Sequence, residues 1–73
     1  MLVEVYTKPG CSLCDEMIDL FDEVGVSPVE RNIFEKQAWF DAYRYRIPVV
    51  AIDGREVLEL RFTLDQLKKA LHT

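Results

Sequence analysis

Two short apolar runs flank a segment whose apolar residues recur every three or four positions, and this pattern restricts the fold more than any other feature of the chain. The first run, Leu2 to Tyr6, is rich in Val and Leu and reads as a strand. It stops at Lys8-Pro9-Gly10, where proline and glycine make a turn. From Cys11 or Ser12 to Val24, the residues Cys14, Met17, Ile18, Phe21 and Val24 share one helical face. Asp15, Glu16, Asp19, Asp22 and Glu23 fall between them and read as the solvated side. Gly25 suits the left-handed position just past the helix. Pro28 to Ile33 reads as a second, less apolar strand. A strand–helix–strand unit this short implies parallel strands joined by a right-handed crossover.

The second half adds different elements. Glu35 to about Tyr43 reads as a helix carrying Ala38, Trp39 and Ala42, with a poorly marked start. Ile47 to Ile52 is strongly apolar, and Asp53-Gly54 is a two-residue hairpin signal. Arg55 to Leu60 is then the antiparallel return strand. Thr63-Leu64-Asp65-Gln66 fits a capping box, with Thr63 as N-cap and Gln66 three residues on. Leu64, Leu67 and Leu71 form the buried stripe of the last helix. The order is βαβαββα, an α/β fold with a mixed four-stranded sheet and helices on both faces. Residues 1–73 are expected to form a single domain. Trp39, Phe21, Phe34, Phe40 and the leucines are expected in the core or at its margin.

Composition narrows the function. A chain of 73 residues buries only roughly 60% of the surface its unfolded form exposes, so its core is marginal. Yet its two cysteines, Cys11 and Cys14, cannot staple it, because a bridge across two intervening residues barely restricts the unfolded chain. The net charge of −4 argues against nucleic acid and against an anionic membrane surface. No apolar run approaches the ~20 residues of a membrane span, and the N-terminus does not read as a signal peptide. A cytoplasmic protein is the expectation.

The cysteine pair sits where a strand ends and a helix begins. Unpaired N–H groups at a helix start favour an anion, which stabilises a thiolate at Cys11. Lys8 lies three residues upstream and adds positive charge, whereas Asp15 and Glu16 oppose it. Cys14 lies one turn further in, within reach of the first sulfur. Cys11 would attack a substrate disulfide, and Cys14 would then attack Cys11 and release the reduced product. Two other readings stand beside this one. Half of a zinc site needs four ligands, but the chain has no third cysteine and its one histidine, His72, is next to the C-terminus. Inert buried thiols are ill suited to a helix start after Pro-Gly. Pro48 reads from its own surroundings as a strand-start proline, with a cis Ile47–Pro48 bond as the alternative.

The run Tyr6-Thr7-Lys8-Pro9-Gly10-Cys11-Ser12-Leu13-Cys14 resembles the Y-x-K-P-x-C-x-x-C segment of glutaredoxins. The likeness spans the chain. It continues through Gly25-Val26 and Arg31-Asn32-Ile33 to Tyr43–Pro48 and Val49–Gly54, which resemble the family's Val-Pro segment and hairpin. It is strongest with short prokaryotic glutaredoxin-like proteins and implies a thioredoxin-like fold. It also implies that Cys11 is the nucleophile, Cys14 the resolving cysteine, and a Cys11–Cys14 disulfide the oxidised form. Lys8 matches a lysine that favours the thiolate and meets a glutathione carboxylate. Tyr6 matches an aromatic beside the site, Pro48 a cis-proline facing the cysteines, and Ile47 the backbone that pairs with a substrate peptide.

The chain also departs from the family. A Gly-Gly-x-Asp stretch common in glutathione-binding members is replaced by Leu60-Arg61-Phe62-Thr63-Leu64-Asp65. Arg61 and the helix tip at Thr63 remain as candidate carboxylate-binding groups, with a plain surface arginine as the other reading of Arg61. Ser12-Leu13 replaces the usual Pro-Tyr between the cysteines. Arg44 stands where a glycine is common, and Arg46 either faces the site or lies on the surface.

The resemblance implies a thiol–disulfide oxidoreductase in cell redox homeostasis, with no bound cofactor or metal. Its electrons would come from glutathione as co-substrate or from a reductase partner. Its substrate would be a disulfide-containing protein or a glutathione mixed disulfide, and the chain is expected to be monomeric. The alternatives are a dedicated electron donor to a ribonucleotide reductase or peroxidase, and a thioredoxin-like module that binds a partner or metal without turnover.

Overall fold

A computed structural model describes residues 1–72. Strand β1 (Val3–Thr7) is followed by helix α1 (Ser12–Val24), strand β2 (Val29–Asn32) and a 3₁₀ turn (Ile33–Glu35). Helix α2 (Gln37–Tyr43), the hairpin strands β3 (Val49–Ile52) and β4 (Arg55–Glu59), and helix α3 (Leu64–Leu71) complete the order. The sheet runs β2-β1-β3-β4, with β1 parallel to β2 and antiparallel to β3, and β3 antiparallel to β4. This is the expected mixed four-stranded α/β sheet.

Strand alternation decides which helix covers which face. Val3 and Val5 of β1 lie beside Ile52 and Val50 of β3, and all four pack with Met17 and Phe21 of α1 and Leu67 of α3. Tyr6 points the other way, into a second cluster with Ile33, Ile47, Trp39 and Tyr43. Helices α1 and α3 therefore share one face, and α2 covers the other. The acidic residues of α1 are exposed, as their spacing predicts.

Element ends follow local chemistry. The Cys11 side chain caps α1, and Gly25 closes it at φ 69. At the hairpin, Asp53 and Gly54 both take positive φ, 50 and 83, which the tightest two-residue turns require. Asp53 also ties down the N-terminus: Leu2 N–H donates to its carboxylate at 2.8 Å, and its own N–H donates to the Leu2 carbonyl at 2.8 Å. The capping box at Thr63 forms in both directions, with bonds of 2.8 and 3.1 Å to Gln66.

Four expectations are revised. β2 stops at Asn32, because its side-chain oxygen accepts from Phe34 N–H at 2.9 Å and starts the 3₁₀ turn. Helix α2 begins at Gln37 behind Lys36, which makes no side-chain cap bond. Phe34 is not a core residue: it is 59% exposed and stacks on Phe40 at the surface. Leu64 and Leu71 are half-buried, with Leu67 alone of that stripe fully enclosed.

The turn after β4 contains a conformation usually reserved for glycine. Leu60 has φ 60, and its N–H donates to the carbonyls of Pro48 at 2.9 Å and Arg46 at 3.3 Å. A left-handed non-glycine residue costs on the order of 1 kcal/mol, and a β-branched one more. Leu60→Gly should therefore leave stability unchanged or slightly raised, whereas Leu60→Ile should lower it by about 1 kcal/mol. Urea unfolding of the two variants checks this contrast.

Candidate active site

The turn between β1 and α1 makes the site. Pro9 ends the strand, Gly10 takes φ 75, and Cys11 follows in extended conformation as the N-cap residue. Its sulfur accepts a hydrogen bond from Cys14 N–H at 3.2 Å, and its carbonyl takes the Asp15 N–H at 3.1 Å. The helix start thus turns the Cys14 N–H toward Cys11 Sγ, an arrangement that would favour a negative charge on that sulfur once the disulfide is reduced. Cys11 and Cys14 form a disulfide, with Cα atoms 5.2 Å apart. Cys11 is half-buried, whereas Cys14 is fully enclosed at 0% exposure. The two sulfurs therefore differ in access: solvent reaches Cys11 and not Cys14.

Beneath the pair lies the second apolar cluster. Cys14 packs with Ile33 and Ile47, and Tyr6, Cys11, Trp39, Phe40 and Tyr43 close around them. The Tyr6 ring meets Trp39 edge-on at 5.4 Å and Tyr43 at 4.4 Å. Burial, then the Glu4 carboxylate, hold the Tyr6 hydroxyl above its ordinary range. From sequence, Trp39 reads only as a helix and core residue, and Tyr43 as the end of that helix and the start of the Val-Pro segment. Their four-residue spacing puts them on one face of α2, and that spacing was the available signal.

The Ile47–Pro48 peptide is cis, and Pro48 is fully buried. The resemblance, not the residue pattern alone, pointed to that isomer. β1 and β3 pair from Val3–Ile52 to Tyr6–Val49, so the same register would set Ile47 opposite Lys8. But β1 has already turned away at Pro9, and among the described residues no backbone hydrogen bond engages Ile47. A stretch of backbone without a hydrogen-bond partner therefore lies just before β3, beside the dithiol.

The remaining candidates flank this centre unequally. Lys8 is exposed and has no ion-pair partner among the described residues. It lines a shallow groove with Thr7, Pro9, Gly10, Asn32 and the acids Asp15 and Glu30. Glu30 had no signal in the sequence, because only the parallel β1–β2 pairing brings it there. Arg61 is 67% exposed and faces Glu16 at 3.5 Å. At the α3 tip the capping box takes up the N–H groups of Thr63 and Gln66. Arg46 lies on the other flank of the sheet, bound to Glu56 and to Glu59 at 2.9 Å. Arg44 closes α2 in helical conformation and lays its guanidinium over Phe40 and Tyr45. Among the described residues no group of three or more His, Cys, Asp or Glu is placed to hold a metal ion, and no helix is long and apolar enough to cross a membrane.

With this geometry in view, the comparisons with known proteins are specific. A family model described as a glutaredoxin-like domain matches residues 2–72. The chain belongs to the glutaredoxin-like family. Among solved structures, XcR50, a structural-genomics target protein from X. campestris, superposes with a TM-score of 0.86 at 26% identity. That match covers 96% of this chain and 95% of the other. The holo form of glutaredoxin C1 from Populus tremula × tremuloides matches with a TM-score of 0.60 at 22% identity. It covers 96% of this chain and 73% of the other, and it shows the shared fold. This glutaredoxin-like chain is a redox protein of thioredoxin-like fold, with the Cys11–Cys14 disulfide at the first helix start.

Two predictions follow from access and charge. In the reduced protein, brief alkylation with iodoacetamide should modify Cys11 at least about tenfold faster than Cys14, read by peptide mapping. The second concerns Glu56, held below the usual carboxylate range chiefly by its hydrogen bond from Arg46, with burial opposing. A lowered folded value means its contribution to stability is present above the ordinary carboxylate range and is lost as pH falls through the depressed value. Because Glu56 is exposed, the contribution is well under about 1 kcal/mol. Glu56→Gln should therefore be slightly less stable than the parent near neutral pH and equal to it at the acid end, measured by urea unfolding across pH.

Proposed function

We propose that this chain is a glutaredoxin-type thiol–disulfide oxidoreductase in which Cys11 is the nucleophile and Cys14 the resolving cysteine. The observation that carries the reading is the asymmetry of the pair: an accessible sulfur at a helix N-cap, bonded to a fully buried one a turn further in. The reduced Cys11 thiolate attacks one sulfur of a substrate disulfide. A mixed disulfide forms and the other substrate sulfur leaves as a thiolate. Cys14 then attacks Cys11 Sγ, the second substrate sulfur leaves, and two electrons have passed to the substrate. The oxidised Cys11–Cys14 pair is reduced again by two thiols of glutathione or by a reductase partner. No bound cofactor is needed, and a reducing compartment such as the cytoplasm suits the cycle.

Lys8 serves this reading as an unpaired positive charge near the thiolate, Tyr6 as the ring beneath the site, and cis-Pro48 as the wall facing it. The unpaired backbone of Ile47 supports a substrate held as an added strand, so that an extended segment with its disulfide above Cys11 is the fitting partner. Of the two groups suited to a glutathione carboxylate, Arg61 is largely exposed and faces Glu16 across 3.5 Å, and the α3 tip keeps the Leu64 and Asp65 N–H groups outside its capping box.

The test is reduction of a peptide disulfide by Cys11→Ser and Cys14→Ser. Cys11→Ser should lose activity by at least about 100-fold, and Cys14→Ser should accumulate a mixed disulfide at Cys11, seen by mass spectrometry. Full activity in Cys11→Ser would overturn the assignment. Parallel turnover with glutathione and with thioredoxin reductase separates the two electron sources. Stoichiometric iron or zinc in anaerobically purified protein, with no reactive thiols, would instead favour a binding module.

A further inference from the structure

Strand β4 contains an irregularity that gathers charge at one place. Its register with β3 runs Ile52–Arg55 and Ala51–Glu56, then shifts to Val50–Leu58 and Val49–Glu59, leaving Val57 as the extra residue of a bulge. Without the bulge, Glu56 and Glu59 would face opposite sides of the sheet. With it, they stand opposite Ala51 and Val49, on the α2 face. Arg46 meets both. Its Nε and Nη2 donate to Glu59 Oε1 at 3.1 and 2.9 Å, Nη2 also donates to Glu56 Oε1, and Nη1 reaches the Ala42 carbonyl at 3.4 Å. The guanidinium lies 5.6 Å from the centre of the Tyr43 ring, which stacks on Tyr6 under the dithiol.

Arg46 is also the residue before Ile47. The carbonyls of Arg46 and Pro48 both accept the Leu60 N–H, so the backbone on either side of Ile47 is tied toward β4. Between these two tied carbonyls, the N–H and C=O of Ile47 take no backbone partner among the described residues, at the point where β1 has left the sheet. The side chain and the backbone of Arg46 are thus fixed to the same strand.

We propose that Arg46, clamped by Glu56 and Glu59, is a positioning residue for thiol–disulfide exchange: it fixes the Ile47 backbone at the height where a substrate strand can pair with it beside Cys11. The inference rests on the proposed oxidoreductase function and adds a residue outside the dithiol that sets recognition of extended peptide substrates. It acts on binding rather than on sulfur chemistry, because no atom of Arg46 reaches the cysteines.

The experiment uses pre-reduced protein in single-turnover reactions with two oxidants: a linear peptide disulfide, and bis(2-hydroxyethyl) disulfide, which has no peptide backbone to pair. Observed rates against concentration give a half-saturation point and a limiting rate for the peptide, and a second-order constant for the small disulfide. Arg46→Gln should raise the half-saturation concentration for the peptide by about tenfold, with its limiting rate and the small-disulfide constant within about twofold of the parent. Arg46→Lys, which can hold one carboxylate but not the fork, should fall between. Glu59→Gln should weaken peptide binding as Arg46→Gln does, and the double variant should add little to either. It also serves should Arg46→Gln fail to fold. Unchanged peptide saturation in folded variants, or an equal loss with both oxidants, would overturn the positioning role. If the parent reduces neither oxidant, the oxidoreductase reading itself fails, which is a different outcome.

Discussion

The structure depends on where the pairing of β1 with β3 stops. Up to Tyr6 and Val49 the two strands share a ladder; beyond that, Pro9 and Gly10 take β1 out of the sheet. That departure starts α1 and places Cys11 at its N-cap. It also strips the partner from the next stretch of the other strand, so Ile47 keeps an unpaired edge. The helix tip at Cys11 and the unpaired backbone at Ile47 are two results of one turn. Neither could be moved without the other, because both are set by the residue at which β1 leaves.

The rest of the molecule keeps that junction rigid with few means. The disulfide spans only two intervening residues and contributes little as a staple. Order instead comes from two clusters, one on each face of the sheet, with Val5, Val50, Phe21 and Leu67 closed to solvent in the first. The second is smaller and more aromatic, and Cys14 is part of it. One sulfur of the disulfide is therefore also a packing group. The rings of Tyr6, Trp39 and Tyr43 meet one another in the same cluster. Charge flanks this cluster on both sides: the buried Glu4 carboxylate is paired with Arg31 at 2.8 Å on one, and the Arg46 group stands on the other.

Much of this could be read from local patterns. The strand and helix order, the Asp53-Gly54 hairpin, the Thr63–Gln66 capping box and the cysteine pair at a helix start each have a short-range physical cause, and each is where the pattern puts it. The features that escaped share a different property. Asn32 diverts the chain into a 3₁₀ turn through one side-chain bond to Phe34, which apolar periodicity does not register. Alternation along β4 assigns Glu56 and Glu59 to opposite faces, and only pairing with β3 reveals the bulge that unites them. Leu60 adopts a glycine-like φ because its N–H is held by two carbonyls from a distant segment, so residue type gave the wrong expectation for the backbone there. The site followed the same division: the dithiol was evident in four adjacent letters, whereas its aromatic floor and the Glu30 side of the Lys8 groove depend on tertiary packing.

The bulge in β4 has a consequence for how the sheet ends. β4 is an outer strand, and a flat outer strand offers a ready ladder to any other exposed strand it meets. Here the extra residue breaks the regular spacing of N–H and C=O groups, and Arg55, Glu56 and Glu59 crowd the same short stretch with charge. An incoming chain would not find an even row of donors and acceptors there. The bulge that brings Glu56 and Glu59 to Arg46 thus also makes this outer strand a poor template for a further strand.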